Sequence, residues 1–418
     1  MKHLARPALA LAVVLALTGC GGGDSAATPG VTAEKIVLGT HHPLTGPAAP
    51  GYSKISVATK AYFDHVNAQG GVHGRKIEYK VMDDGYNPAT TQQVVRRLVL
   101  NDRVFAIVNG LGTPTHTGVL DFLKSNKVPD LFVASGSRSW DQPQKYPTTF
   151  GFNPDYTVEG KILATYIKQQ HTGEKVCFFG QADDFGRDAL AGVERILGKT
   201  GVAEREDYVP TNTDVAPQLS RLKAAKCEVV VSATVPGFTA LTLGTAARIG
   251  FEPQWVVSNV GGDRATLASR LGAKGAPLLD GMISAGYLPS ADDTADEWTA
   301  LFKSIQEEYA PDLEFDGHVI YGMAVGYLTV QALRAAGKDL TRESVLAAVE
   351  KGGFTGPADV PLRFSPDDHS GYGGVQVNKV SGGEQLGFGP VYVTDEEGGA
   401  VEEYTVARPA PPRGGIPG

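Results

Sequence analysis

Cysteine is scarce in this chain: three occur in 418 residues, at Cys20, Cys177 and Cys227, and no two are spaced C-x-x-C. That removes zinc-ribbon and thioredoxin-like chemistry. No run rich in lysine and arginine occurs and the formal charge is −8, so nucleic acid is not an expected partner. G-x-S-x-G is missing, which leaves a nucleophile-elbow hydrolase without support. Gly110-Leu111-Gly112 starts like a dinucleotide fingerprint, but Thr115 stands where that motif needs glycine. His41 and His42 are adjacent on a strand-like run and so point to opposite faces, with no third ligand nearby; a pocket-rim role is expected and metal is not. Asp83-Asp84, before Gly85 and Pro88, reads as the end of a strand and the start of a turn, not as an acid/base pair. No catalytic residue, cofactor or metal is therefore expected, and the chain reads as non-enzymatic.

The one long apolar run, Ala8 to Leu17, follows Lys2 and Arg6 and is too short to span a bilayer as a helix. Leu17-Thr18-Gly19-Cys20 resembles the lipobox of bacterial lipoproteins, which implies a signal peptide over 1–19, cleavage before Cys20 and a diacylglycerol on its sulfur. The expected location is outside the cytoplasm, lipid-anchored to the outer face of the cytoplasmic membrane or periplasmic. The acyl chains must carry the anchoring, because an anionic protein gains nothing from anionic lipid. Residues 20–33, rich in Gly and Ala, read as a flexible tether, and the Pro/Gly-rich 408–418 as a disordered tail. Export permits a disulfide between Cys177 and Cys227 if their strands are neighbours; two buried free thiols are the equal alternative.

What is present is an alternation. Ile36-Val37-Leu38-Gly39 is a short apolar strand, Pro43 to Gly51 a Gly/Pro/Thr loop, and Ser53 to Asn67 a helical pattern. Strand, loop and helix form the first unit of a parallel α/β sheet, whose ligand site lies at the carboxyl ends of the strands. The cycle repeats through 76–83, 88–101, 104–108, a helix over 115–125 and a strand over 131–134. It restarts after Phe150-Gly151-Phe152-Asn153-Pro154 and runs to about residue 260. Two series at this length predict α/β architecture in two doubly wound parallel-sheet lobes. The helices over 294–309 and 318–336 come after the second series yet have the pattern of covers for the first, so the chain is expected to cross between lobes more than once.

Several segments, taken in order, resemble the Leu/Ile/Val-binding family of extracytoplasmic solute-binding proteins that serve ABC importers. They are L-T-G-P at 44–47, A-Y-F-D-H-V-N-A-Q-G-G-V-H-G-R-K-I at 61–77, D-D-G-Y-N-P-A at 83–89, V-P-D-L-F-V-A-S-G-S at 128–137 and D-D-F-G at 183–186. The likeness covers roughly Lys35 to Val406. It implies the type I periplasmic-binding-protein fold, two lobes joined by three hinge crossings, with an N-terminal lobe of 34–152 plus 289–362 and a C-terminal lobe of 153–288 plus 363–407. It also implies a monomer that closes on a small solute, with ABC permease subunits as partners. A sensor docking a membrane receptor uses the same fold, and an exported hydrolase is the remoter alternative.

Residue by residue, the resemblance places Thr113 and Ser135-Gly136-Ser137 on the ligand's carboxylate. Their hydroxyls and amides suit an anion, and helix capping is the competing role. Tyr52 falls near an aromatic that covers the ligand, and His318 where the family carries an aromatic at a helix start. Phe185 stands where tyrosine is frequent and can stack but not donate a hydroxyl. Asn259 stands near the glutamate that pairs with an amino acid's ammonium. Without that carboxylate, burying an ammonium is costly, so a carboxylate or amide ligand is expected beside the branched-chain amino acid, with Asp155, Asp183 or Asp184 as substitute acids.

Overall fold

The computed structural model describes residues 28–418. The expected signal peptide, Cys20 and most of the expected tether lie outside the described residues. The first series is β1 (Lys35–His42), α1 (Ala49–Ala68), β2 (Lys76–Asp83), α2 (Pro88–Arg96), β3 (Ala106–Val108), α3 (Thr113–Thr117), α4 (Leu120–Ser125), β4 (Asp130–Val133) and β5 (Thr149–Gly151). The second is α5 (Tyr156–Gln170), β6 (Val176–Gln181), α6 (Asp184–Leu197), β7 (Val202–Tyr208), α7 (Ala216–Ala224), β8 (Val229–Ala233), α8 (Pro236–Arg248), β9 (Gln254–Val257), α9 (Arg264–Gly275) and β10 (Ile283–Gly286). Three helices follow, α10 (Glu297–Tyr309), α11 (Gly317–Ala335) and α12 (Arg342–Glu350), and then β11 (Gly374–Ser381), β12 (Glu384–Val393) and β13 (Glu402–Glu403).

Two sheets result. The first has order β2-β1-β3-β4-β5 and is parallel throughout. The second contains the same order, β7-β6-β8-β9-β10, also parallel, and is extended past β10 by antiparallel β11, β12 and β13. Each is a doubly wound sheet, with the reversal of winding beside its first strand. The inner strands β3 and β8 are apolar runs buried at every position because helices cover both faces, whereas the edge strands β2 and β7 carry charged residues.

The helices after the second series return to the first sheet. Gly322 and Gly326 of α11 lie against Ile55, Ala58 and Tyr62 of α1, so close that a Cβ at Gly322 would stand 2.3 Å from the Ile55 carbonyl oxygen. The Thr59 hydroxyl donates to the Gly322 carbonyl at 2.9 Å. The connections between sheets run side by side: the Tyr372 N–H donates to Phe152 O, the Gly151 N–H to His369 O and the Asp359 N–H to Tyr287 O. Phe152, Tyr287, Tyr321 and Tyr372 pack there as one aromatic cluster.

Two expectations change and one open choice closes. The helix expected over 115–125 is two short helices, because Val119 leaves helical geometry (φ −117°, ψ −7°) after Gly118. The tail over 408–418, expected to be disordered, is packed on the first lobe. Trp298 Nε1 donates to Pro409 O at 2.8 Å, the Tyr62 hydroxyl to Gly415 O at 2.6 Å and Arg334 to Pro417 O at 2.6 Å, while Arg408 pairs with Asp296 and Asp359. A Pro/Gly run offers few side chains, but its carbonyls are good acceptors wherever donors face them. Finally, Cys177 in β6 and Cys227 just before β8 are bonded, with Cα atoms 5.8 Å apart. The open choice between bridge and free thiols resolves to the bridge because β6 and β8 are direct neighbours.

Candidate functional site

The principal cleft lies between the two sheets at the carboxyl ends of their strands. Leu111, Gly112 and Thr113 after β3 and Ala134 after β4 form part of one wall; Val235 after β8 and Asn259, Val260 and Asp263 after β9 form part of the other. Tyr52, Tyr86, Tyr156, Phe185, Tyr287 and Tyr321 surround it, making a broad aromatic lining with a few polar groups, the composition expected of a small-molecule site. Among the described residues that line it there is no lysine or arginine; Asp263 and His318 are its ionisable groups besides the tyrosines. No helix among the described residues is long and apolar enough to cross a membrane.

Of the residues singled out in the sequence, Tyr52, Thr113, Phe185, Asn259 and His318 meet in this cleft. Ser135, Gly136 and Ser137 line a small adjoining recess with Trp140, Asp141 and Asp155. The two groups join through one hydrogen bond, 2.7 Å between the hydroxyls of Thr113 and Ser135, with the Tyr156 side chain beside both. Thr113 does not cap α3; that position is Gly112, whose φ of +104° suits glycine. The helix is five residues long, so its dipole adds little and the anion-hosting capacity here rests on hydroxyls. Ser137 is turned across the cleft, its hydroxyl donating to Asp188 of α6 at 3.1 Å.

On the second wall, Asn259 is held from behind. Its backbone N–H and side-chain amide both donate to Glu159 of α5, at 2.5 and 2.8 Å, and the Ser258 hydroxyl adds a third bond at 3.0 Å. Burial nevertheless pushes Glu159 up to about 7. Phe185 packs edge-tilted on Tyr156, with ring centres 4.5 Å apart. The substitute acids are elsewhere: Asp155 caps α5, Asp183 caps α6 and Asp184 pairs with Arg187. The carboxylate that does face the cleft is Asp263, the N-cap of α9.

His318 follows Asp316, the N-cap of α11, and Gly317. Its Nδ1 lies 3.2 Å from the Thr266 hydroxyl and 3.7 Å from Asp263, and its ring meets Tyr52 edge-on at 5.8 Å. Room for that ring depends on Gly51: a Cβ there would stand 2.4 Å from it, and the local φ is +80°. Asp263, Asp316 and His318 bring ligand atoms close together, but Asp316 already holds the Lys54 ammonium at 2.7 Å. The cluster is thus a network of one lysine, one histidine and two carboxyl groups.

Tyr86, Tyr156, Asp263, Tyr287 and Tyr321 are aromatic or ionisable residues of the lining that were not anticipated. Tyr86 and Asp263 had local signals, in D-D-G-Y-N-P and in an aspartate opening a helix. Tyr156, Tyr287 and Tyr321 reach the cleft only through the crossings between sheets. His41 and His42 are not at the rim. Both are fully buried, and His41 lies in a chain from Asp84 through His41 and His116 to Asp130, with junctions of 2.8, 2.9 and 2.8 Å.

Residues 35–385 match the family described as periplasmic binding protein. The chain is similar to Leu/Ile/Val-binding protein homolog 1 of Brucella suis, with 21% identity over 83% of this chain and 88% of the relative. It is also similar to Leu/Ile/Val-binding protein homolog 3 of Brucella melitensis, at 24% over 47% of this chain; the match spans 53% of that relative's length. Among solved structures, a branched-chain amino acid ABC transporter protein from Thermus thermophilus with bound valine superposes with TM-score 0.77 at 20% identity, covering 88% of this chain and 98% of that one. A fatty acid ABC transporter substrate-binding protein from Thermomonospora curvata gives TM-score 0.77 at 24% identity, covering 88% and 95%.

Proposed function

The chain belongs to the periplasmic binding protein family, a family of solute binders and not of enzymes, and from that premise we propose that it captures a small carboxylate- or amide-bearing solute by closing its two lobes and delivers it to an ABC importer. The observation that carries this reading is the cleft itself, lined from both sheets by aromatic rings, with the Thr113 hydroxyl in its wall joined to Ser135 of the adjoining recess and Tyr156 beside both. The relatives support an acid: one structure is described with valine and another by fatty acid, and both solutes carry a carboxylate. In this reading Thr113 meets the carboxylate and Ser135 orients it. Phe185 and Tyr52 enclose the body of the solute, Asn259 offers its remaining polar atoms, and the crossings at Phe152, Tyr287 and Tyr372 act as the hinge. Cys20 carries the lipid that keeps the protein at the membrane.

The test is direct. Purified protein is denatured, the released solute identified by mass spectrometry, and that solute titrated back by calorimetry beside leucine, isoleucine and valine. An intact carboxylic acid or amide that rebinds is expected; a solute recovered only as hydrolysed product would defeat the binding reading. Thr113→Ala should weaken rebinding by about 1 to 3 kcal/mol and Ser135→Ala by about 1 kcal/mol, the scale of lost hydrogen bonds to a charged group. Cys20→Ser should release the protein from membranes, and its retention there would refute the anchor.

A further inference from the structure

The network around His318 joins two lobes. Lys54 belongs to α1 and Asp316, Gly317 and His318 to the start of α11, both on the first sheet, while Asp263 and Thr266 begin α9 on the second. Across the gap, the Gly317 N–H donates to Asp263 Oδ2 at 3.1 Å, Thr266 Oγ1 meets His318 Nδ1 at 3.2 Å, and it donates to Asp316 Oδ2 at 3.4 Å. These groups are withdrawn from water: Asp316 is 0% exposed and His318 7%. We propose that Asp263 and Thr266 grip the start of α11 as a proton-dependent clasp that holds the cleft closed.

The charges that face the His318 ring settle the direction. Asp263 stands across the gap, Asp316 on its own helix, and Lys54 on α1, where Tyr52 also packs. Burial alone would lower His318, but Asp263 and Asp316 outweigh it and hold the imidazole above its ordinary value. Reciprocally, burial raises Asp263, yet His318 and the Thr266 N–H hold it below the usual carboxylate range. Opening removes Asp263 from His318, so the closed form binds the proton more tightly. The clasp is fully formed below the open-form value of His318 and fails as pH rises past the closed-form value. Asp263 would then sit half-buried beside a neutral ring, with hydration on opening as its relief.

This rests on the reading of the cleft as a closing solute site, but its test needs no solute. Solute-free full-length protein is followed from about pH 6 to about pH 9 by small-angle scattering and by hydrogen exchange of the segment containing Gly317, corrected for intrinsic rates. In the wild type, the radius of gyration should rise and protection at Gly317 fall by about tenfold. His318→Gln and Asp263→Asn, each checked for folding by circular dichroism, should show low protection at every pH. Should His318→Gln not fold, Asp263→Asn carries the comparison. A wild type whose size and protection do not change with pH, or variants that copy its titration, would overturn the clasp. That outcome would leave the solute-site reading standing, because capture by the wild type is read separately by mass spectrometry.

Discussion

The parallel parts of the two sheets share one strand order but tie their strands by different chemistry. In the second, Cys177 of β6 is bonded to Cys227 ahead of β8. In the first, β1 is tied to β2 and β4 by the Asp84–His41–His116–Asp130 chain. A covalent bond works in either protonation state. The histidine chain is built from titratable side chains in a fully buried place, where burial holds His41 below its ordinary value. The same topology can thus be held by a redox-sensitive element or by a proton-sensitive one. The histidine chain also needs a glycine: a Cβ at Gly110 would stand 2.4 Å from His116.

His116→Leu breaks the comparison hardest. It leaves His41 Nε2 without its partner and Asp130 Oδ2 with only the Thr149 hydroxyl at 3.0 Å. Removing one member of a buried charged network costs about 3 to 5 kcal/mol, which denaturant titration would read as a lowered midpoint. A loss under about 1 kcal/mol would mean that the chain is a packing feature and not a tie. Reduction of Cys177–Cys227 is the matching experiment on the other lobe. The bridge closes a loop with sequence separation 50, and loop entropy puts its loss at about 4 kcal/mol, with measured cases falling lower. Unchanged melting under reductant, with both thiols shown free by mass, would refute a stabilising role.

Much of this was legible in sequence because it is local. The alternation of apolar strands with helical spacing placed both α/β series, and Thr113, Tyr52, Phe185, Asn259 and His318 fell in the cleft because each ends a strand or begins a helix near the sheet's carboxyl edge. What was not legible depends on distant partners. Asp263 matters because Gly317, 54 residues on, comes within hydrogen-bond reach. The tail looked like a linker because composition does not reveal that Tyr62, Trp298 and Arg334 would find its carbonyls. His41 looked like a rim residue because its partner His116 is 75 positions away. Ser137 looked like a ligand donor, yet its hydroxyl is committed to Asp188 on the facing lobe.

The last residues of the two leading strands give the finest contrast. Gln181 ends β6 with its amide satisfied: Tyr208 donates to Oε1 at 2.9 Å, and Nε2 donates to Asp183 at 2.5 Å and to Tyr86 at 3.3 Å. His42 ends β1 fully buried, and neither ring nitrogen has a hydrogen-bond partner among the described residues. Burial pushes His42 down to about 3, so it stays neutral in the fold but charges on unfolding below about pH 6.5. Because the unfolded chain then binds the extra proton, stability falls with falling pH, by about 1.4 kcal/mol per unit between those two values from this residue alone. His42→Leu removes the slope and two buried unpaired nitrogens together. It should be near neutral at pH 7, and its advantage over wild type should grow toward pH 5, read as diverging melting temperatures. Parallel curves would mean that His42 acquires its proton or a partner inside the fold, and the contrast with Gln181 would disappear.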